Sequence, residues 1–274
     1  MKSFIALSIL LSTASAFEIR GTRNTQRERL GSMVQKLVAT PRITNARTAV
    51  PNEFPYQAGL SFFDGEKCQF CGGSLISKEW VMTAAHCTLT AVKVRIYVGS
   101  INRLDYIECL EVEKSNIIVH PKFDMRTTRN DIALIEIPAV TYSAAIQPVS
   151  LPTRPSSNPN YVYKTVVASG WGYTSDTSPS HSPVLQFASF KVITNTICAE
   201  VYGSYIDKGK ICTAAVNRIG ICFGDSGGPL VLEKSNIQIG IISFFANDEC
   251  EGNAPAVYTR VTSYLDWIRE NTGL

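Results

Sequence analysis

Gly220-Ile221-Cys222-Phe223-Gly224-Asp225-Ser226-Gly227-Gly228-Pro229-Leu230 is the stretch that decides how this chain is read. Its glycines let backbone amides converge on one point while leaving the Ser226 hydroxyl exposed. Alone, the segment is equally a turn. Two upstream segments change that, because Thr83-Ala84-Ala85-His86-Cys87 supplies an imidazole and Asn130-Asp131-Ile132-Ala133-Leu134-Ile135 a carboxylate. A serine hydroxyl is barely nucleophilic at neutral pH. It needs a base that takes its proton during attack and later gives one to the leaving group. His86 is the candidate base, Asp131 the candidate orienting group and Ser226 the candidate nucleophile.

The chain order His, Asp, Ser separates one such arrangement from two unrelated ones. From Ile43 to the C-terminus the chain resembles the chymotrypsin-like serine peptidases. Gly220, Ser243-Phe244 and the ending Tyr264-Leu265-Asp266-Trp267-Ile268-Arg269-Glu270-Asn271-Thr272-Gly273 are most similar to arthropod digestive chymotrypsins and brachyuran-type collagenolytic enzymes. The resemblance implies an all-β fold of two six-stranded antiparallel β-barrels with the active site between them, followed by a C-terminal α-helix. It places His86 and Asp131 on the first barrel and Ser226 on the second. It also implies an oxyanion hole made by the backbone N–H groups of Gly224 and Ser226, and a role for Asp225 in pairing with a newly released amino terminus at Ile43.

The first 16 residues carry Lys2, an apolar run from Phe4 to Leu11 and Ala14-Ser15-Ala16, the pattern of a cleaved secretory signal. A secreted, extracellular protein is expected. Residues 17–42 hold six Lys/Arg against two Glu, whereas from Ile43 onward 19 Lys/Arg face 21 Asp/Glu. The net +3 of the whole chain thus belongs to a short basic leader, and a nearly neutral domain gives no basis for nucleic-acid binding. Arg42-Ile43 resembles the family's activation junction, so 17–42 is expected to be an activation prosegment and 43–274 the peptidase domain. Short apolar runs such as Val92–Gly99 and Ile237–Phe244 read as strands. Pro152–Asn160 and Thr174–Pro183 read as loops. Val261, Tyr264, Leu265 and Ile268 fall at helical spacing, with Thr262 or Ser263 as caps, and make the terminal helix the exception to an all-strand pattern.

Eight cysteines in a secreted chain point to disulfides, and spacing alone leaves all 105 pairings open. The resemblance implies Cys71–Cys87, Cys198–Cys212 and Cys222–Cys250; Cys68 and Cys109 then remain and are paired with each other. No Asn-x-Ser/Thr acceptor occurs. No metal or other cofactor is implied. His120 and His181 sit in no recognisable motif and read as loop residues, and Trp171 in Ser169-Gly170-Trp171-Gly172 reads as structural.

The family sets its primary specificity with the residue six before the nucleophile, where trypsin-like members place Asp. Here it is Gly220. An uncharged P1 side chain is therefore expected, with Ser243, Phe244 and Phe245 forming the opposite wall. Phe245 and Ala256 stand where wide pockets commonly have glycine, so the pocket is either narrowed or, if Phe245 swings outward, left open. Collagenolytic members often carry an acidic residue at the position of Ala256, which argues against collagen cleavage. Cleavage after Arg42 would need a trypsin-like activating peptidase acting in trans. Protein and peptide substrates and protein protease inhibitors are the expected partners of a monomer, with no membrane. A non-catalytic homologue would typically lack a triad residue, and a cascade peptidase would carry a larger regulatory prosegment.

Overall fold

Alternation along the sequence produces the strands. The computed structural model describes residues 46–153, 160–178, 180–215, 218–246 and 249–274. In it the run after Val92 forms a strand over Lys93–Val98 that buries Val94, Ile96 and Val98 and exposes Arg95. Side chains of a strand alternate between faces, so one face meets the core and the other water. The second expected strand forms over Gln238–Phe244 and is buried along almost its whole length.

The N-terminal sheet is built from β2 (Gln57–Phe63), β3 (Cys68–Leu75), β4 (Trp80–Thr83), β5 (Lys93–Val98), β6 (Glu108–Glu113), β7 (Ile117–Val119) and β8 (Ala133–Glu136), in the order β6-β5-β2-β3-β4-β8-β7. The C-terminal sheet joins β1 (Arg47–Thr48), β9 (Thr165–Gly170), β10 (Gln186–Ile193), β11 (Lys210–Thr213), β12 (Pro229–Leu232), β13 (Gln238–Phe244) and β14 (Ala256–Arg260), in the order β1-β10-β11-β14-β13-β12-β9. A further β9–β10 pairing closes six of these strands into a barrel. The expectation of two six-stranded barrels therefore holds for the second. The first has seven strands, and among the described residues no pairing joins β6 to β7, which leaves it a half-barrel.

Among the described residues two α-helices accompany the sheets. The expected terminal helix, α2 (Leu265–Thr272), is present, but Thr262 and Ser263 do not cap it. They lie in a preceding 3-10 turn, Val261–Ser263, and Tyr264 occupies the cap position without a side-chain hydrogen bond. Tyr264 and Ile268 pack into the core of the N-terminal sheet together with Val261. His120 anchors this docking, with its ring 5.4 Å from Tyr264 and 5.0 Å from Trp267. The sequence reading had no second helix. One occurs as α1 (Asn195–Tyr202), capped by Thr194, whose hydroxyl accepts from the Ile197 N–H at 3.2 Å. No helix among the described residues is long and apolar enough to cross a membrane.

The two sheets meet along a buried polar seam. Ser74 donates to Gln238 at 2.7 Å, Ser169 to Gln57 at 2.6 Å and Thr259 to the Asp131 carbonyl at 2.8 Å. At the centre the Gly72 N–H donates to the Ser226 carbonyl at 2.8 Å. The backbones touch there: a Cβ on Gly72 would lie 2.9 Å from the Gly228 Cα. Gly72→Ala is expected to force the halves apart and to cost about 1–3 kcal/mol, read as a lower midpoint of thermal unfolding. An unchanged midpoint would mean the contact yields without cost.

Candidate active site

Asp131 follows a backbone that turns sharply, since Thr128 and Asn130 have φ of 51° and 55°. The turn drives the Asp131 side chain inward, where it is fully buried. Its Oδ1 accepts the His86 backbone N–H at 2.9 Å and its Oδ2 lies 2.8 Å from His86 Nδ1. Ser243, on β13 of the other sheet, donates to Oδ2 at 2.6 Å. Burial pushes the Asp131 carboxyl up, but the His86 charge and the hydrogen bonds from His86 and Ser243 outweigh it and hold the group below the usual carboxylate range. An ionised Asp131 keeps the imidazole proton on Nδ1 and leaves Nε2 free to accept one.

His86 and Ser226 line one cleft of about 710 Å³, together with Gly224, Ser243, Phe244 and Phe245. The structure thus brings all three candidate triad residues to one place. Among the described residues no hydrogen bond joins the Ser226 hydroxyl to His86, and His86 Nε2 lies 3.7 Å from Cys87 Sγ. Gly224 and Gly227 adopt φ of 93° and 80°, which favour glycine. A Cβ on Gly227 would meet Thr83 Oγ1 at 2.1 Å.

Asp225 points away from the cleft and is fully buried. Its carboxylate accepts from the N–H groups of Gly172 at 2.7 Å and Cys222 at 2.9 Å. Trp171, which the sequence reads as structural, is flanked by Gly170 and Gly172. Asp225 constrains both glycines, because a Cβ on Gly170 or Gly172 would lie 2.2 Å or 2.5 Å from its carboxyl group. Trp171 is itself buried, donating to the Ile101 carbonyl at 2.9 Å. Arg42 and Ile43, like the signal and prosegment boundaries, fall outside the described residues.

Gly220 and Ala256 line a second, separate cavity of about 20 Å³ with Phe245. Phe245 is half-buried against the C-terminal core, and its ring meets Phe223 at 5.4 Å. It also lines the large cleft. Glu249 is on this wall too, but it is exposed.

His181, which the sequence places in a loop, lines the large cleft. Its ring packs on Phe70 and Tyr173 at 5.1 Å and 5.0 Å, against the Cα of Gly224. Burial and nearby Arg103 hold its pKa below the ordinary histidine value. No local motif announces it, because its neighbours come from three separate segments.

Three bridges form as the resemblance implied, Cys71–Cys87, Cys198–Cys212 and Cys222–Cys250. The fourth does not: Cys68 and Cys109 are free and exposed. Strand register explains why. Cys68 stands opposite Phe63, Phe63 opposite Lys93 and Lys93 opposite Glu113, whereas Cys109 stands opposite Tyr97. The two thiols are therefore three strand spacings of about 4.8 Å apart and also offset along the strands, beyond the roughly 7 Å Cα separation that a disulfide tolerates.

The buried Asp225 carries a pH signature. Burial pushes its carboxyl up from 3.8 to about 7, against the pull of the Cys222 and Gly172 N–H groups. A folded-state value above the unfolded one contributes stability that is fully present below the unfolded value and is lost as pH rises through the folded value. The thermal midpoint of the uncleaved chain is expected to carry this loss between about pH 4 and 7, and Asp225→Asn to remove it. Identical pH dependence in the two proteins would contradict the assignment.

The model of the family described as Trypsin matches residues 43–268. A protein named Collagenase from Hypoderma lineatum is 38% identical over 276 residues, spanning 100% of this chain and 99% of its own length. Brachyurin from Leptuca pugilator is 40% identical over 228 residues, spanning 82% of this chain and 96% of its own. The solved structure of HL collagenase is similar with a TM-score of 0.78 at 40% identity, over 84% of this chain and 98% of that one. A match that starts at Ile43 and runs almost to the C-terminus, with identity of this order across nearly whole relatives, makes the chain a member of the trypsin family and a serine endopeptidase.

Proposed function

We propose that this endopeptidase is secreted as an inactive precursor, is cleaved after Arg42, and hydrolyses peptide bonds next to small uncharged side chains by a Ser226–His86–Asp131 triad. The observation that carries the triad is the Asp131–His86 pair, held by two hydrogen bonds beside the cleft that Ser226 also lines. Ser226 Oγ attacks the substrate carbonyl as Nε2 of His86 takes its proton. Asp131 stabilises the imidazolium without accepting that proton. The N–H groups of Gly224 and Ser226 receive the developing oxyanion, where one lost donor costs about 3–4 kcal/mol of barrier. His86 then protonates the leaving amine, and a water activated by the same imidazole hydrolyses the acyl-enzyme.

The activation step rests on Asp225, whose buried carboxylate has only two N–H partners among the described residues. A new amino terminus at Ile43 would supply the opposite charge and order the oxyanion segment next to it. Specificity rests on Gly220, which offers no carboxylate, and on Phe245 and Ala256, which line the same small cavity as Gly220. Such a pocket does not suit Arg, so the cut after Arg42 falls to a trypsin-like peptidase in trans. A relative named Collagenase supports a protein substrate. Ala256, in place of an acidic pocket residue, argues against native collagen as the substrate.

Activated enzyme is expected to react with an active-site serine reagent, and Ser226→Ala to abolish the reaction. Asp131→Asn should lower kcat by about 10⁴, the scale set by that substitution in a chymotrypsin-type triad. Profiling on a mixed peptide library should give cleavage after Ala, Val and similar residues, and Phe245→Gly should extend it to Phe, Tyr and Leu. Wild-type cleavage after Phe or Tyr would refute the narrowed pocket. Trypsin-free precursor should stay uncut at Arg42 on incubation, and self-conversion there would refute both the pocket and the activation in trans.

A further inference from the structure

Lys210 opens β11 deep inside the protein and is 1% exposed. An ammonium group has three donors and no acceptor, and it is costly to bury unless something takes its protons. Lys210 Nζ donates to the Thr128 carbonyl and, at 3.4 Å, to Ser243 Oγ. The Phe244 ring centroid lies 5.3 Å away. Among the described residues no carboxylate pairs with it directly. Asp131 and Asp207 face it at longer range, with Arg129 paired to Asp207, His86 beyond Asp131, the Tyr264 phenol near both acids, and Arg260 donating to its own carbonyl.

The geometry has a directional consequence. Ser243 has one hydroxyl proton and faces a donor-only ammonium on one side, so it accepts there and donates to Asp131 Oδ2 on the other. The second contact acts on the backbone before Asp131. Thr128 is β-branched and sits at φ 51°, a strained conformation that persists only when its surroundings hold it. The carbonyl that Lys210 grips belongs to that residue. We propose that Lys210 is a positioning residue of the catalytic centre, whose buried ammonium directs the Ser243 hydroxyl onto Asp131 and pins the loop that presents Asp131 to His86. The proposal rests on the triad reading given above. Burial pushes the Lys210 ammonium down to about 8, against the pull of Asp131 and Asp207, so in neutral and acidic solution it carries its charge. That charge favours an anionic Asp131 and opposes a second positive charge at the triad.

The test compares Lys210→Met, which removes donors and charge, with Lys210→Gln, which removes the charge but keeps donors. Each is activated with trypsin, freed of it, titrated with an active-site reagent and assayed for kcat and KM from pH 5 to 9. The acid limb of kcat/KM is expected to move upward by about 0.5–1 pH unit in both variants, because the opposing charge is gone. For Lys210→Met kcat should fall about tenfold with KM little changed, and Lys210→Gln should recover part of that loss. Thermal stability of Lys210→Met should be equal or higher, since a buried charge is replaced by an apolar chain of similar volume. Profiles that superimpose on the wild type would overturn the proposal, as would an activity loss that tracks a fall in stability with an unmoved acid limb. A wild-type enzyme indifferent to Asp131→Asn would instead remove the triad reading, and this proposal with it.

Discussion

Everything at the catalytic centre depends on two strips of backbone being allowed to touch. The Gly72 N–H reaches the Ser226 carbonyl only because Gly72 and Gly228 leave no side chain between the sheets. A hydrogen bond of this kind contributes about 1 kcal/mol net, so its weight is geometric more than energetic. It fixes the Ser226 segment of one sheet against the sheet that carries His86. Cys71, next to Gly72, bridges to Cys87, next to His86, so the same contact also positions His86.

Around that contact small polar side chains bond across the interface, beside apolar packing that brings Val231 and Ile241 of the C-terminal sheet into the N-terminal core. Ser74, Gln238, Ser169, Gln57, Ser243 and Thr259 bond across it in pairs or to backbone. Each buried polar group left unpaired would cost its full desolvation, so these partners specify one relative placement of the sheets. Asp131 belongs to this seam as much as to the active site. Its carbonyl and its carboxylate both accept from the C-terminal sheet, which makes assembly of the halves a condition for a correctly held imidazole.

What was legible in the sequence is what local chemistry dictates. The glycines and serine of 224–228, the histidine beside Cys87 and the aspartate after Asn130 announce themselves because the chemistry constrains their immediate neighbours. The strand at Lys93–Val98 shows in its alternation. Lys210 and His181 were not legible, because what gives them meaning arrives from distant segments; Lys210 meets Thr128 across 82 positions. The pairing of Cys68 with Cys109 failed for the same reason, since only strand register reveals their separation. Thr194 is a recognisable cap in hindsight, but the helix it starts is two turns long and shows little periodicity.

The three bridges have a topological property of their own. They join residues 16, 14 and 28 positions apart, each linking cysteines that are consecutive along the chain, and none crosses from one sheet to the other. The spans closed by the three bridges do not overlap along the chain. Because chains emerge and fold from the N-terminal side, the first half can finish its oxidation before the second has been synthesised. Each sheet therefore carries its own bridges, and among the described residues the halves are joined covalently by the polypeptide alone.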